Sequence, residues 1–131
     1  MVDATTKITL HDLREFAGVD IHENDPRYRE PLVRDARRLA KKLSVECEVV
    51  LLGSIATGKY VDVLLENFNH RLLFPADFVG RGDMSRGGLL LRCAADKTEL
   101  PYISVVGAVR SGKRPPKLTP RRYVSGTLIP Q

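Results

Sequence analysis

Val49-Val50-Leu51-Leu52-Gly53-Ser54-Ile55-Ala56-Thr57-Gly58-Lys59-Tyr60-Val61 holds a change of period within thirteen residues. A short apolar run meets a glycine turn, and Val61, Leu64, Leu65 and Phe68 then recur at helical spacing. The reading is strand, tight turn, helix. Glycine lets the backbone leave a strand abruptly, and a helix that starts there points unpaired N–H groups and a positive dipole end at the turn. A second segment repeats the pattern, from Leu72-Leu73-Phe74-Pro75-Ala76-Asp77 through Gly80-Arg81-Gly82-Asp83-Met84-Ser85-Arg86 into Leu89-Leu90-Leu91. Two such turns predict one anion-binding crevice between Gly53–Tyr60 and Asp77–Arg86.

Thr9 and Asp12 have the spacing of a capping box, so a short helix is expected over Leu10–Ala17, ended by Gly18. Residues 19–29 are polar and read as a loop. Pro31 suits the first position of a helix running to about Leu43, with Leu32, Val33, Ala36, Leu39, Ala40 and Leu43 on its apolar stripe. Arg34, Arg37, Arg38, Lys41 and Lys42 fall mostly on its other side, a solvated face or a polyanion surface.

Beyond that helix come strand Cys47–Leu52, helix Thr57–Phe68, strand Arg71–Phe74, helix Ser85–Ala95 and strand Tyr102–Val106. The alternation predicts an α/β fold: a small three-layer Rossmann-like domain over residues 1–109, with a short, mostly parallel sheet. Three strands leave exposed edges, to which Lys7–Leu10 or Val124–Ile129 could add a strand. A second copy of the chain is the other cover, so a homo-oligomer is expected.

Composition narrows the class. With 43% apolar and 28% charged residues in 131, the chain matches an ordinary globular domain. It has no apolar run of membrane-spanning length and no secretory leader pattern, so a cytoplasmic protein with no membrane partner is expected. Cys47 and Cys93 have no metal-ligand spacing and read as reduced, packed thiols. His11, His22 and His70 form no metal pair and no nucleophilic triad.

The net charge of +5 is unevenly placed. Residues 1–99 carry 15 basic and 16 acidic side chains, whereas Arg110, Lys113, Arg114, Lys117, Arg121 and Arg122 face no acid after residue 99. With Pro115, Pro116, Pro120 and Pro130, residues 110–131 read as an extended basic arm. Such an arm, Arg110–Arg122, could grip nucleic acid through phosphates, simply solubilise the chain, or fold back over acidic surface.

Neither turn completes a familiar nucleotide motif. Gly53-x-x-x-x-Gly58-Lys59 follows the phosphate-loop pattern, but Tyr60 stands where a Ser or Thr must ligate magnesium. Gly80-x-Gly82-x-x-Ser85 approximates the dinucleotide fingerprint, yet no acid ends the strand Tyr102–Val106 to hold a ribose. What survives is a candidate ligand set of Gly53, Thr57, Gly58, Lys59, Tyr60, Arg81, Gly82, Ser85 and Arg86. Should a reaction occur there, Asp77 or Asp83 would serve as base, Ser54 as hydroxyl donor, and Lys59 and Arg81 as charge stabilisers. The bland alternative is that the glycines only permit turns and the charges pair among themselves.

The segments Gly53–Val61 and Phe74–Arg92 together resemble a family of conserved bacterial proteins of unassigned function. The resemblance implies a bacterial source and carries no reaction or catalytic roles. The sequence thus points to a domain binding a phosphate- or carboxylate-bearing small molecule, with a nucleotide or nucleoside derivative foremost and hydrolysis or group transfer as the reaction class. The alternatives are a nucleic-acid-binding module and a structural subunit without a ligand.

Overall fold

A computed structural model describes residues 3–124 and 127–130, with side chains described to residue 122. The chain divides into two compact units, Met1–Cys47 with Thr57–Asn69, and Glu48–Ala56 with His70–Gln131.

The first unit is helical. Helix α1 (Leu10–Ala17) is capped as its sequence requires: the Thr9 hydroxyl accepts from the Asp12 amide at 3.2 Å. The Asp12 carboxylate accepts from the Thr9 amide at 2.8 Å and from its hydroxyl at 2.7 Å. Those bonds, the amide first, hold the Asp12 carboxyl below the usual aspartate range. None of α1's residues is buried, and Leu10, Leu13 and Phe16 are exposed, so the cap supports a helix that packing does not.

Helix α2 (Pro26–Lys42) begins five residues before the expected Pro31. Asp25 caps it, accepting from the Arg27 amide at 3.0 Å, and Pro26 takes the first position. Both prolines suit a helix start, but only Pro26 follows a capping carboxylate. Pro31 then lies inside the helix, where it removes one amide donor. Arg34, Arg37, Arg38, Lys41 and Lys42 are exposed, as the apolar stripe implies. Helix α3 (Gly58–Phe68) packs against α2; Val61, Val63 and Phe68 are buried on α3, and Ala36 on α2. Burial, then the neighbouring Tyr60, pushes the Tyr28 phenol above its usual value.

The second unit holds a mixed three-stranded sheet in the order β1 (Val49–Val50), β2 (Leu72–Pro75), β3 (Tyr102–Ser104). Strands β1 and β2 run parallel, pairing Val49 with Leu72 and Val50 with Leu73. Strand β3 is antiparallel to β2, pairing Tyr102 with Pro75 and Ser104 with Leu73. The expected succession of parallel strands therefore stops at β2. The Ala76 amide donates to Pro101 O at 3.0 Å, which anchors the start of β3 beside the end of β2. Helix α4 (Asp83–Asp96), which joins them, has no fully buried residue. Leu72, Phe74, Pro75, Phe78, Ile55 and Val105 form the buried centre of this unit.

Pro75 is the last residue of β2 and does not break it early. The carboxyl-terminal strands β4 (Arg121–Val124) and β5 (Thr127–Pro130) pair with each other as a separate two-stranded antiparallel sheet, and Lys7–Leu10 contributes no strand. Strands β1 and β3 therefore remain the sheet's edges among the described residues. No helix among them is long and apolar enough to cross a membrane.

The capping geometry sets the behaviour of α1. Thr9→Ala should weaken the helix by about 1 kcal/mol, read as faster amide exchange over residues 12–17. Because the Asp12 pKa is depressed in the folded chain, its contribution is complete above the ordinary aspartate value. It is lost as the pH falls through the lower folded value, so α1 amides should lose protection there before those of α3.

Candidate functional site

The parallel pair β1 and β2 ends on one side, and the chain leaves both strands there. After β1, the Leu51 amide still donates to Leu73 O at 2.8 Å, and the backbone then turns through Gly53 into Ser54-Ile55-Ala56. After β2, a short 3-10 turn (Ala76–Phe78) buries Phe78, and the chain reverses at Gly80, whose φ is +76°. Helix α4 follows, with Gly82 as its N-cap. Glycine has no side chain to cap the helix, and no side-chain cap hydrogen bond forms.

A cavity of about 300 Å³ opens between these two loops. Ile55 and Phe78 are its buried apolar members, and Ser54, Ala56, Gly80 and Gly82 contribute from the turns. Four guanidinium-bearing residues line it: Arg81, Arg86, Arg110 and Arg114, with Ser111 and Gly112 between the last two. No carboxylate is in the lining.

The arginines of the second turn are held in place. Arg81 Nε donates to Asp77 O at 2.7 Å and its Nη1 to Ser85 Oγ at 3.1 Å, which uses two of its five N–H groups. Arg86 Nη1 donates to Arg81 O at 2.7 Å, and its Nη2 pairs with the Asp83 carboxylate. The Arg86 side chain is 13% exposed and that of Asp83 is 94% exposed, so the acid offsets one cation from the solvent side. Arg114 makes no hydrogen bond or ion pair among the described residues.

The sequence missed the part played by residues 110–114. Read as an extended arm, this segment instead seats against Gly80: a Cβ there would lie 2.4 Å from Lys113 O and 3.0 Å from Gly112 O. A Cβ on Gly112 would in turn meet Val79 Cγ1 at 3.0 Å. Further along, Arg92 Nη2 donates to Thr119 O, and Arg121 Nη1 donates to both oxygens of Asp96 at 3.0 and 2.9 Å. The run of cations without acids was the available signal. Its destination depends on backbone contacts that no local pattern announces.

Thr57, Gly58, Lys59 and Tyr60 belong to the helical unit and are not in the cavity lining. Thr57 is the N-cap of α3, but its side chain makes no cap hydrogen bond. Negative charge already stands at that helix end, since a Cβ on Gly58 would meet Asp62 Oδ2 at 2.5 Å and Glu23 Oε2 at 3.1 Å. A helix N-terminus with two carboxylates beside it is poorly suited to a further anion. Asp77 is exposed and holds Arg81 through its carbonyl oxygen; Asp83 is spent on Arg86. Ser54 does line the cavity, where its hydroxyl accepts from the Ala56 amide at 3.3 Å. Among the described residues no group of three His, Cys, Asp or Glu could hold a metal ion.

Comparison with protein families, with curated proteins and with solved structures gives no match to this chain. The site is therefore read from its own chemistry.

The two glycines of the second turn should separate cleanly on substitution. Gly80→Ala adds a methyl group at a positive φ and against Lys113 O, and should cost about 1–3 kcal/mol. A Cβ on Gly82 meets nothing within 4 Å, so Gly82→Ala should cost less, at most about 1 kcal/mol from the poorer N-cap. Thermal denaturation of the pair checks this.

Proposed function

We propose that the protein binds a small anion-bearing molecule, a phosphate ester or a carboxylate, in the cavity formed by Ser54–Ala56, Gly80–Gly82, Arg86 and Arg110–Arg114. The observation that carries this reading is the convergence of four arginine residues on one concave lining without a carboxylate. Gathering like charges in a partly buried site is costly, and a bound anion relieves that cost. Guanidinium also offers paired N–H groups that match the oxygens of phosphate or carboxylate. The hydrogen bonds that fix Arg81 and Arg86 reduce the ordering cost of binding.

The lining supports binding more than turnover. It contains Ser54 and Ser111 but neither imidazole nor carboxylate, so no general base stands within it. The nucleic-acid reading is weaker for a related reason. Arg110 and Arg114 line a cavity of about 300 Å³, which suits one small anion, and Arg121 is engaged by Asp96. Self-association is part of the proposal, because Val50, Leu52, Ile103 and Val106 on or beside the edge strands are exposed. Sedimentation at micromolar concentration should show a dimer or larger species, and a monomer there removes that element.

Calorimetric titration with inorganic pyrophosphate tests the binding itself. The parent should bind it, and Arg114→Ala and Arg81→Ala should each weaken binding by about tenfold or more. Lys59→Ala should leave the affinity unchanged. Absence of binding, or loss on removing Lys59 instead of Arg114, would overturn the reading.

A further inference from the structure

Beside the arginine cavity lies a second hollow of about 380 Å³, and Arg81, Gly82 and Arg114 line both. Its other members differ in kind. Met84, Pro115 and Pro116 present thioether and ring surface, with Ser85, Asp83 and Lys117 also in the lining. Met84 is 90% exposed on the first turn of α4, an unusual position for a methionine with no core to fill. Pro116 is exposed as well. The two prolines share this lining with Met84 because the segment that carries Arg110 and Arg114 continues past them; its seating on Gly80, and Arg92 donating to Thr119 O, bracket this stretch.

We infer that the ligand is a mononucleotide, its phosphate held in the arginine cavity and its base in the Met84–Pro115–Pro116 hollow. The inference rests on the anion-binding reading and adds the ring to it. Each hollow alone is at or near the lower end of the roughly 300–1,000 Å³ range of small-molecule sites. Joined across Arg81 and Arg114, they suit a ligand with one strongly anionic end and one flat, weakly polar end. A simple sugar phosphate would leave the apolar hollow wet. A planar base fills it: methionine sulfur packs favourably on aromatic rings, and the Arg114 guanidinium, shared by both hollows, can lie over a ring face while reaching toward the phosphate. Base stacking of this kind is tolerant of base identity, so one class of ligand is implied without a preference among bases.

The test compares three probes by calorimetry: pyrophosphate, ribose 5-phosphate and adenosine 5′-monophosphate. The nucleotide should bind about tenfold more tightly than ribose 5-phosphate. In the Met84→Ala/Pro116→Ala double variant, both side chains being exposed, that advantage should fall to about threefold or less while pyrophosphate affinity stays at the parent value. Equal affinity for nucleotide and ribose 5-phosphate in the parent overturns the mononucleotide assignment but leaves the anion site standing. An advantage that persists in the double variant places the base elsewhere and also overturns it. If none of the three probes binds, the anion site fails and the assignment falls with it.

Discussion

The contact between Gly80 and the backbone of Lys113 is the constraint on which the site depends. A peptide oxygen occupies the space where any other residue would carry its Cβ, and the positive φ at Gly80 permits that approach. Through it the segment following β3 is laid against the turn following β2. Arg110 and Arg114 thereby reach a cavity whose other two arginines come from a different part of the chain. Without this close approach, Arg110 and Arg114 would lose the backbone contact that holds their segment against the turn.

Assembling four guanidiniums raises an electrostatic cost, and the structure shows how part of it is offset. Carbonyl oxygens of Asp77 and Arg81 accept from Arg81 and Arg86, and the exposed Asp83 carboxylate pairs with Arg86. These bonds set side-chain direction as well as charge balance, since each guanidinium is tied through one edge. Arg114 has no such tie among the described residues, and it belongs to both hollows. Arg81 and Arg86 are thus held in direction, while Arg114 is left to adjust to a ligand.

Legibility in the sequence differed by element for a consistent reason. Helix α1 was readable to the residue because Thr9, Asp12 and Gly18 specify it within ten positions. Helix α2 was misjudged at its start because Asp25-Pro26 and Pro31 compete as local signals, and the structure places both prolines in one helix capped by Asp25. The parallel pairing of β1 and β2 followed from the two apolar runs and glycine turns. The direction of β3 did not, because strand polarity depends on where α4 delivers the chain, and α4 carries no deeply buried face to guide the inference.

The amino-acid order alone determined the two glycine turns, the caps, the apolar helix faces and the concentration of positive charge after residue 99. Each arises from interactions within a few residues, or from composition. Only the tertiary structure decided that Ser54, Arg81 and Arg86 share a cavity with Arg110 and Arg114, whereas Lys59 sits in the other unit with Asp62 and Glu23 beside its helix end. The physical reason is range: a turn or a cap is set by neighbouring peptide groups. A binding cavity requires backbone to meet backbone across some thirty residues, and one glycine without a Cβ is enough to allow it.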